Sequence, residues 1–579
     1  MPEDGAEHPH TYALRIKAPV NYISKPLDDL KSDYDVIVVG SGYGGGVAAA
    51  RLAGHGKRVA VIERGKEFLP GDYPDSFSAI RRDFQVSGSK IKLGSRASLF
   101  DLRLGRDMHV LVGCGLGGGS LINAGVALRP DARVFSDPIW PEEISSDGLL
   151  QEGFERSTHM LRPMPFGGAA ELIKYKALKE ASKPFDIEPR PTPTTIAFES
   201  GANAAGVDQQ ACTLCGDCMS GCNVGAKTTV AATYLSLAAA GGAEIFTQGS
   251  VRHVVRRDGR WAVSLSQTLE TGGRAELSER TVTADIVILA AGTLGTTEIL
   301  MRSSENGLAV SDRLGEQFSS NGDIIALGYG AEGRVNAIGV GHPPKAETDP
   351  VGPCVSGQLD FHDAETLDNG LVMQEGAVPS GLASLLPALL LPGGKVLDAA
   401  KSLVTSIYKG PLASLHAFFL AGHDTAGGRL NLENDAMVVE WPDVTEQPVY
   451  AQADEILAKA LGARGGSHLQ NPFESRITGK KPVTAHPLGG CAMGRDAAHG
   501  VVNHKGQVFD ATPGGDGSLV HDGLYVCDGA AIPRSLGANP LLTISSLAER
   551  AMILLARDHG WASDDDAAAR ERRETEASL

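Results

Sequence analysis

Asp33-Tyr34-Asp35-Val36-Ile37-Val38-Val39-Gly40-Ser41-Gly42-Tyr43-Gly44-Gly45 is the stretch on which the reading of the fold turns. Val36–Val39 is an unbroken apolar run that ends in glycine, as a strand buried on both faces does. Val47–Leu52 then reads as the beginning of a helix, and Val59-Ala60-Val61-Ile62-Glu63 as a second strand, which together make a βαβ unit. Gly40, Gly42 and Gly45 satisfy the G-x-G-x-x-G spacing. The first glycine allows a tight turn and the second lets the backbone approach a pyrophosphate. The third lets the helix close on the strand, with the helix N-terminus facing the negative charge. Glu63 ends the second strand, where a carboxylate accepts from a ribose hydroxyl and disfavours a 2′-phosphate.

The rest of the chain sets the bounds. Its 579 residues, 42% of them hydrophobic, suffice for a large core and exceed one compact unit, so two or more interleaved domains are expected. With 53 basic and 70 acidic side chains the net charge is −17. The absence of a basic patch argues against nucleic acid as a partner. The opening MPEDGAEHPH lacks a basic region followed by an apolar one, so no signal peptide is expected, and no apolar run reaches membrane-spanning length. Eight cysteines in so long a chain do not suggest a disulfide framework. Four of them crowd between Cys212 and Cys222, which reads as metal chemistry in a reducing compartment and a cytoplasmic address.

Two further apolar stretches, Ala284–Gly292 and Gly523–Ala530, read as buried strands ending in glycine. A second glycine loop runs from Val112 to Asn123. Its Gly113, Gly118, Ser120 and Asn123 belong to a segment able to wrap backbone amides around a large cofactor. Asp528, at a strand end far downstream, can bind a ribityl hydroxyl. NAD would have no use for this third cofactor-facing segment, whereas a flavin buried along its whole length would. FAD is therefore the expected cofactor.

These segments, with Leu289–Leu300 (LAAGTLGTTEIL), His486–Cys491 (HPLGGC) and Gly537–Arg550 (GANPLLTISSLAER), resemble the glucose–methanol–choline (GMC) oxidoreductases, most of all the bacterial cholesterol oxidase-like members. The resemblance runs from about residue 34 to about residue 556 and is loose over about 311–475, where substrate choice lies. It implies an α/β (α+β) fold in which an FAD-binding Rossmann-like domain interleaves with a substrate domain built on an antiparallel sheet. The expected division is 1–32 as an N-terminal arm, with FAD-binding parts at 33–130, 201–310 and 479–560. Substrate-domain parts fall at 131–200 and 311–478, and a charged tail at 561–579.

Oxidising an alcohol requires a proton acceptor beside the hydroxyl and a donor that fixes its oxygen while hydride leaves carbon. The imidazole of His486 and the carboxamide of Asn539 suit these roles, and the resemblance places the family's active-site pair on them. Cholesterol oxidases also set a carboxylate above the flavin from a strand before a Pro-x-Gly turn. Here Gln374 takes that position and Glu375 follows, and strand alternation lets only one of the two reach the flavin. If that one is Gln374, the steroid isomerisation base is missing. Cys114 lies in a loop that approaches the flavin in relatives, and it is expected to be a buried thiol rather than a covalent attachment point.

Cys212-x2-Cys215-x2-Cys218-x3-Cys222 is too tight for an ordinary zinc site and matches the cysteine run of bacterial ferredoxins, with Asn223 in place of their proline. FAD glucose dehydrogenases of the same family carry a three-iron cluster in a similar segment. The resemblance makes Cys212, Cys218 and Cys222 ligands, with Cys215 able to complete a four-iron cluster, so the cofactor is [3Fe-4S] or [4Fe-4S]. Electrons would then leave FAD singly for an external acceptor, a redox protein or quinone, making the enzyme a dehydrogenase. The competing readings are a peroxide-forming oxidase with a silent cysteine cluster, and a non-catalytic flavin carrier. The substrate is expected to be a small-molecule alcohol, apolar in character. Leu382–Leu391 (LASLLPALLL) is the most apolar stretch outside the nucleotide-binding elements. It reads as a core segment, as a lid over an apolar pocket, or as a contact with a membrane.

Overall fold

The computed structural model describes residues 22–268, 279–362, 365–389, 406–469 and 479–561. The short strand expected at 12–16 and the charged tail from Ser563 lie outside the described residues.

The apolar run of the opening motif forms the strand Asp33–Val39 at the heart of a nine-stranded sheet. It pairs in parallel with Val59–Ile62 on one side and Arg280–Leu289 on the other. The helix Tyr43–Gly54 crosses between the first two strands; it begins at Tyr43, a turn before Val47, because Gly42 already serves as its N-cap. Glu244–Phe246 and Ser24–Lys25 extend the parallel part outward. The strand Arg280–Leu289 forks on its far side. Its first half pairs antiparallel with Arg260–Gln267, and its last residues pair in parallel with Val520–Val526. That fork brings the region of Asp528 beside the glycine turn, although almost the whole chain separates them. The buried residues Val36–Val39, Val59–Ile62, Ile286–Leu289 and Leu524–Val526 make one core with the helix Leu541–Asp558.

A second sheet of six strands runs in the order Ser467–Leu469, Ile324–Tyr329, His416–Gly422, Leu371–Gly376, Gly357–Asp360, Arg190–Pro191, antiparallel at every pairing. Leu178, Ala326, Met373, Phe418, Leu420 and Leu457 pack the helices Ile173–Ser182 and Pro448–Gly462 onto one of its faces. A third sheet, of five strands, contains His109–Gly113, which leads into the second glycine loop, and Val483–Thr484, which leads into His486. The apolar stretch at 382 forms a 3-10 turn, Ser380–Leu385, followed by the short helix Leu386–Leu389. Leu386 is buried among Leu327, Tyr329, Ile338, Leu412 and Leu415, while Leu385 is 40% exposed. The segment is thus anchored in a core at one residue and open to solvent at its neighbour. Among the described residues no helix is long and apolar enough to cross a membrane.

Candidate active site

The glycine turn is shaped by near contacts that no side chain would tolerate. Gly40 adopts φ +92°, and a methyl group on it would fall 2.3 Å from the Ala290 carbonyl oxygen. On Gly44 a methyl group would fall 1.4 Å from the carbonyl oxygen of Cys527. Gly42 differs, because the space beside it is open. It is the position where the helix N-terminus presents its free amides, so the cradle has room for a phosphate where the motif requires it. Gly118, also at positive φ, would place a methyl group 2.9 Å from the Gly42 Cα, so the two glycine loops touch. Glu63 is buried and accepts from Ser41 Oγ at 2.5 Å and from the Gly65 amide at 2.8 Å.

Other residues singled out in the sequence are engaged within the protein. Ser120 Oγ donates to the Gly117 carbonyl (2.7 Å) and accepts from the Val230 amide (3.0 Å). Asn123 donates to Tyr43 Oη at 2.8 Å. Gly113 faces the Gly118 carbonyl too closely to carry a side chain. Asp528 accepts from Thr296 Oγ1 (2.5 Å), the Gly292 amide (2.8 Å) and the Ala530 amide (2.9 Å), and burial pushes its carboxyl up to about 6. The Cys114 thiol donates to the Arg96 carbonyl, and burial pushes it up to about 12, the state of an unreactive thiol.

His486 and Asn539 are both tied to the segment Ser319–Asp323. Asp323 Oδ1 lies 2.9 Å from His486 Nδ1, and its Oδ2 accepts from the Ala485 amide at 2.8 Å. The carboxylate therefore holds Nδ1–H, and Nε2 is left with its lone pair. Burial disfavours the imidazolium, but the charge and hydrogen bond of Asp323 outweigh it, so the His486 pKa lies above its ordinary value. Two residues earlier, Asn321 donates to the Ala538 carbonyl (2.9 Å) and accepts from the Leu536 amide (2.8 Å), fixing the loop that carries Asn539. The buried carboxylate of Asp424 accepts from Ser319 Oγ, Ser320 N and Oγ and the Gly322 amide, and so rigidifies the whole segment. Neither Asp323 nor Asp424 lies in a motif; their role depends on partners more than a hundred residues away.

The alternation at Gln374 and Glu375 comes out as strand geometry demands. Gln374 Nε2 donates to Asn539 Oδ1 at 2.6 Å. Glu375 faces the other way, into a buried pair with Lys174 Nζ (2.9 Å), and also accepts from the Ser356 hydroxyl and the Ser356 and Gly357 amides. The carboxamide of Asn539 is therefore oriented by Gln374, with Nδ2 left to donate.

Cys212, Cys215, Cys218 and Cys222 line one small pocket, together with Ile196, Lys227 and His342. All four are free thiols. Among the described residues no group of three or more His, Cys, Asp or Glu stands at metal-holding geometry. Backbone amides nonetheless point at the sulfurs: Leu214 N at Cys212 Sγ and Cys354 N at Cys218 Sγ, each at 3.4 Å. Lys227 is buried, and its Nζ donates to the carbonyls of Leu121 (3.0 Å), Asn123 (2.6 Å) and Cys218 (2.9 Å). It thereby staples the second glycine loop to the cysteine loop. Asn223 accepts from the Gly71 and Tyr73 amides and donates to the Tyr73 carbonyl, and the Tyr73 ring closes over Gly221.

A Rossmann-type cradle joined to an antiparallel-sheet domain, with a carboxylate-backed imidazole where the sheets meet, is the layout of a flavoprotein oxidoreductase. The chain belongs to the GMC oxidoreductase family, whose N-terminal model matches residues 34–320 and whose C-terminal model matches 448–548. It is an oxidoreductase acting on CH–OH donors. It is 30% identical to a cholesterol oxidase of Mycobacterium tuberculosis, over 91% of each chain. With a cholesterol oxidase of Acinetobacter baumannii it shares 27% identity, over 91% of this chain and 95% of that one. A long-chain-alcohol oxidase of Arabidopsis thaliana is 25% identical over 90% of this chain and 66% of its own. In fold it is similar to the pyridoxine 4-oxidase from Mesorbium loti, with a TM-score of 0.58 and 16% identity, covering 90% of this chain and 98% of that chain.

Proposed function

We propose that this is an FAD-dependent alcohol dehydrogenase whose electrons leave through an iron–sulfur group in the cysteine cavity to an external acceptor. FAD, when bound, supplies the hydride acceptor. With FAD bound, Gly40, Gly42 and Gly45 would offer the helix N-terminus, with an open approach to the pyrophosphate at Gly42, and Glu63 would accept from the ribose. Gly113, Gly118, Ser120 and Asn123 would shape the second loop around the cofactor, and Asp528 would meet its ribityl side. His486 Nε2 takes the hydroxyl proton of the substrate, and Asn539 Nδ2 donates to the same oxygen. The alcohol thus loses one proton to the imidazole and one hydride to the cofactor and becomes the carbonyl. Gln374 is no acid or base, so a steroid alcohol would be oxidised without movement of its double bond. The relatives' names, sterol and long-chain-alcohol oxidases, support an apolar alcohol as substrate.

The observation that carries the iron–sulfur reading is Lys227. A buried ammonium whose partners are three neutral carbonyls, with no carboxylate within ion-pair distance among the described residues, lacks a counter-charge. It borders a pocket lined by four cysteines, with backbone amides aimed at the sulfurs of Cys212 and Cys218. Cysteine thiolates on iron and sulfide would supply the missing negative charge, with Cys212, Cys218 and Cys222 as ligands and Cys215 as a fourth. Neutral thiols would not. The names of the relatives favour a second reading, an oxidase that passes both electrons to oxygen and releases peroxide.

One experiment separates the two. Protein purified without air is assayed for iron and acid-labile sulfide, and turnover is followed with oxygen and with a one-electron dye. The proposal expects iron and sulfide, their loss in Cys218→Ser, and loss of dye reduction there while alcohol still bleaches the flavin. Zinc or no metal in the wild type, with stoichiometric peroxide under air, establishes the oxidase instead.

A further inference from the structure

Two imidazoles outside the site just described carry buried nitrogens with no partner. His362 follows the strand Gly357–Asp360, and His423 follows His416–Gly422, with one strand between them in the six-stranded sheet. Their rings stand edge to face with centroids 6.1 Å apart. The Nε2 atom of each is buried without a hydrogen bond, and His423 as a whole is 5% exposed.

The surrounding hydrogen bonds assign both tautomers. Asp360 Oδ1, which can only accept, lies 2.8 Å from His362 Nδ1, so that nitrogen carries the proton. Ser535 Oγ spends its hydrogen on the Asp424 carbonyl at 3.1 Å, which leaves it an acceptor for His423 Nδ1 at 3.5 Å. Both Nε2 atoms therefore present lone pairs, and both lie close to Gly537. A methyl group on Gly537 would fall 2.4 Å from His423 Nε2 and 3.0 Å from His362 Nε2. Gly537 also adopts φ +66°, so glycine both permits the turn and keeps the space between the rings open.

Two buried lone pairs on neighbouring rings, with no donor on either, cost free energy until a positive or positively polarised group joins them. We propose that His362 and His423 form a two-histidine site for a late first-row divalent cation of the zinc class, behind the loop that carries Asn539. Imidazole is the side chain that suits such ions, and a carboxylate on the far ring nitrogen, as Asp360 provides, is the usual outer partner of a ligating histidine. Arg534 lies close enough to His423 to act on it electrostatically. The Arg534 charge is itself engaged by Asp137 and Asp368. Water or a backbone carbonyl would complete the coordination. An ion there would pin Gly537, two residues before Asn539.

The test titrates chelator-treated, flavin-loaded enzyme with Zn2+ alone and follows binding by calorimetry. The wild type should take up one equivalent more than His362→Gln, a variant at a strand end that keeps the fold even if His423→Gln does not. X-ray absorption of that extra equivalent should show a nitrogen and oxygen shell at about 2.0–2.1 Å and no sulfur at about 2.3 Å. Asp360→Asn should weaken binding about tenfold without changing the stoichiometry. Equal uptake by the wild type and His362→Gln, no uptake by either, or a sulfur shell on the extra equivalent would each overturn the proposal.

Discussion

Replacing Asp323 with Asn removes one negative charge 2.9 Å from His486 Nδ1 while keeping an acceptor of the same shape. Two unit charges about 4 Å apart at an effective dielectric of about 20 attract by about 4 kcal/mol, or about 3 pKa units. Burial of His486 opposes that attraction without overcoming it, since the net shift is upward. With the charge gone, burial outweighs the remaining hydrogen bond and the pKa falls below the ordinary histidine value. The base must be neutral to take the substrate proton, so wild-type flavin reduction rises with pH through the elevated His486 pKa. In Asp323→Asn that acid limb should move down by about 1–3 pH units, and the plateau should fall by about tenfold because the base is weaker. Anaerobic stopped-flow reduction of the flavin by saturating alcohol across the pH range reads both effects. Stability gives an independent sign. A histidine whose folded pKa is raised contributes stability that is complete below its unfolded pKa and is lost as pH rises through the folded one. The variant should therefore lose more stability at acidic than at alkaline pH. An acid limb that stays in place or moves upward would refute the reasoning.

His486→Ala should retain FAD and slow flavin reduction by about 10²–10⁴-fold, the scale of a positioned base; normal bleaching by substrate would end the assignment. Gly44→Ala drives a methyl group into the Cys527 carbonyl and should destabilise the fold by about 3 kcal/mol, read as a loss of Tm. Gly42→Ala fills open space, so its Tm should hold while FAD dissociates more readily in dialysis; unchanged retention would mean that the pyrophosphate does not approach there. Asp528, raised to about 6, contributes stability that is complete below about pH 4 and lost as pH climbs through about 6, a span worth about 3 kcal/mol. Denaturant titrations of the wild type against Asp528→Asn should differ in slope within that window only. Leu386→Ala should cost about 2–4 kcal/mol of stability, whereas Leu385→Ser should leave stability unchanged and raise KM for large apolar alcohols if the segment covers the entrance.

What the sequence disclosed was local chemistry with a fixed spacing. The strand, turn and helix at 33–54, the strand ending at Ile62 and the strands before Gly292 and Asp528 are each specified within about ten residues by periodicity and glycine placement. The α/β class and the FAD-binding character follow from them. The alternation of Gln374 and Glu375 was also legible as a choice between two faces, because a strand has only two. Which residue took which face was not legible, since that depends on Lys174 reaching Glu375 across 201 positions. Asp323 is the clearest omission. Ser-Ser-Asn-Gly-Asp reads as an ordinary loop, and its acid gains meaning only when the strand Ile324–Tyr329 carries it beside Ala485 and His486.

The cysteine segment teaches the complementary lesson. Its resemblance to a cluster segment implied Cys212, Cys218 and Cys222 as ligands with Cys215 as a candidate, yet spacing cannot tell a site that holds a cluster from a pocket of reduced thiols, because both need the same loop. A charge can tell them apart. Lys227 reads in sequence as one more basic residue after Gly-Ala, and its burial is invisible until the loop folds over it. Once buried, it must find a counter-charge or yield its proton more readily, since burial pushes its pKa down to about 8, and the carbonyls of Leu121, Asn123 and Cys218 orient it without neutralising it. Replacing it with Met separates the cases sharply. If the cavity holds neutral thiols, Lys227→Met removes an uncompensated charge and leaves the protein as stable or more stable. If it holds an anionic cluster, the same change strips the cluster's nearest cation, so the cluster's reduction potential should fall and its release on dilution should quicken. Redox titration of the anaerobic protein, with the thermal midpoint measured beside it, shows which charge balance the fold was built to carry.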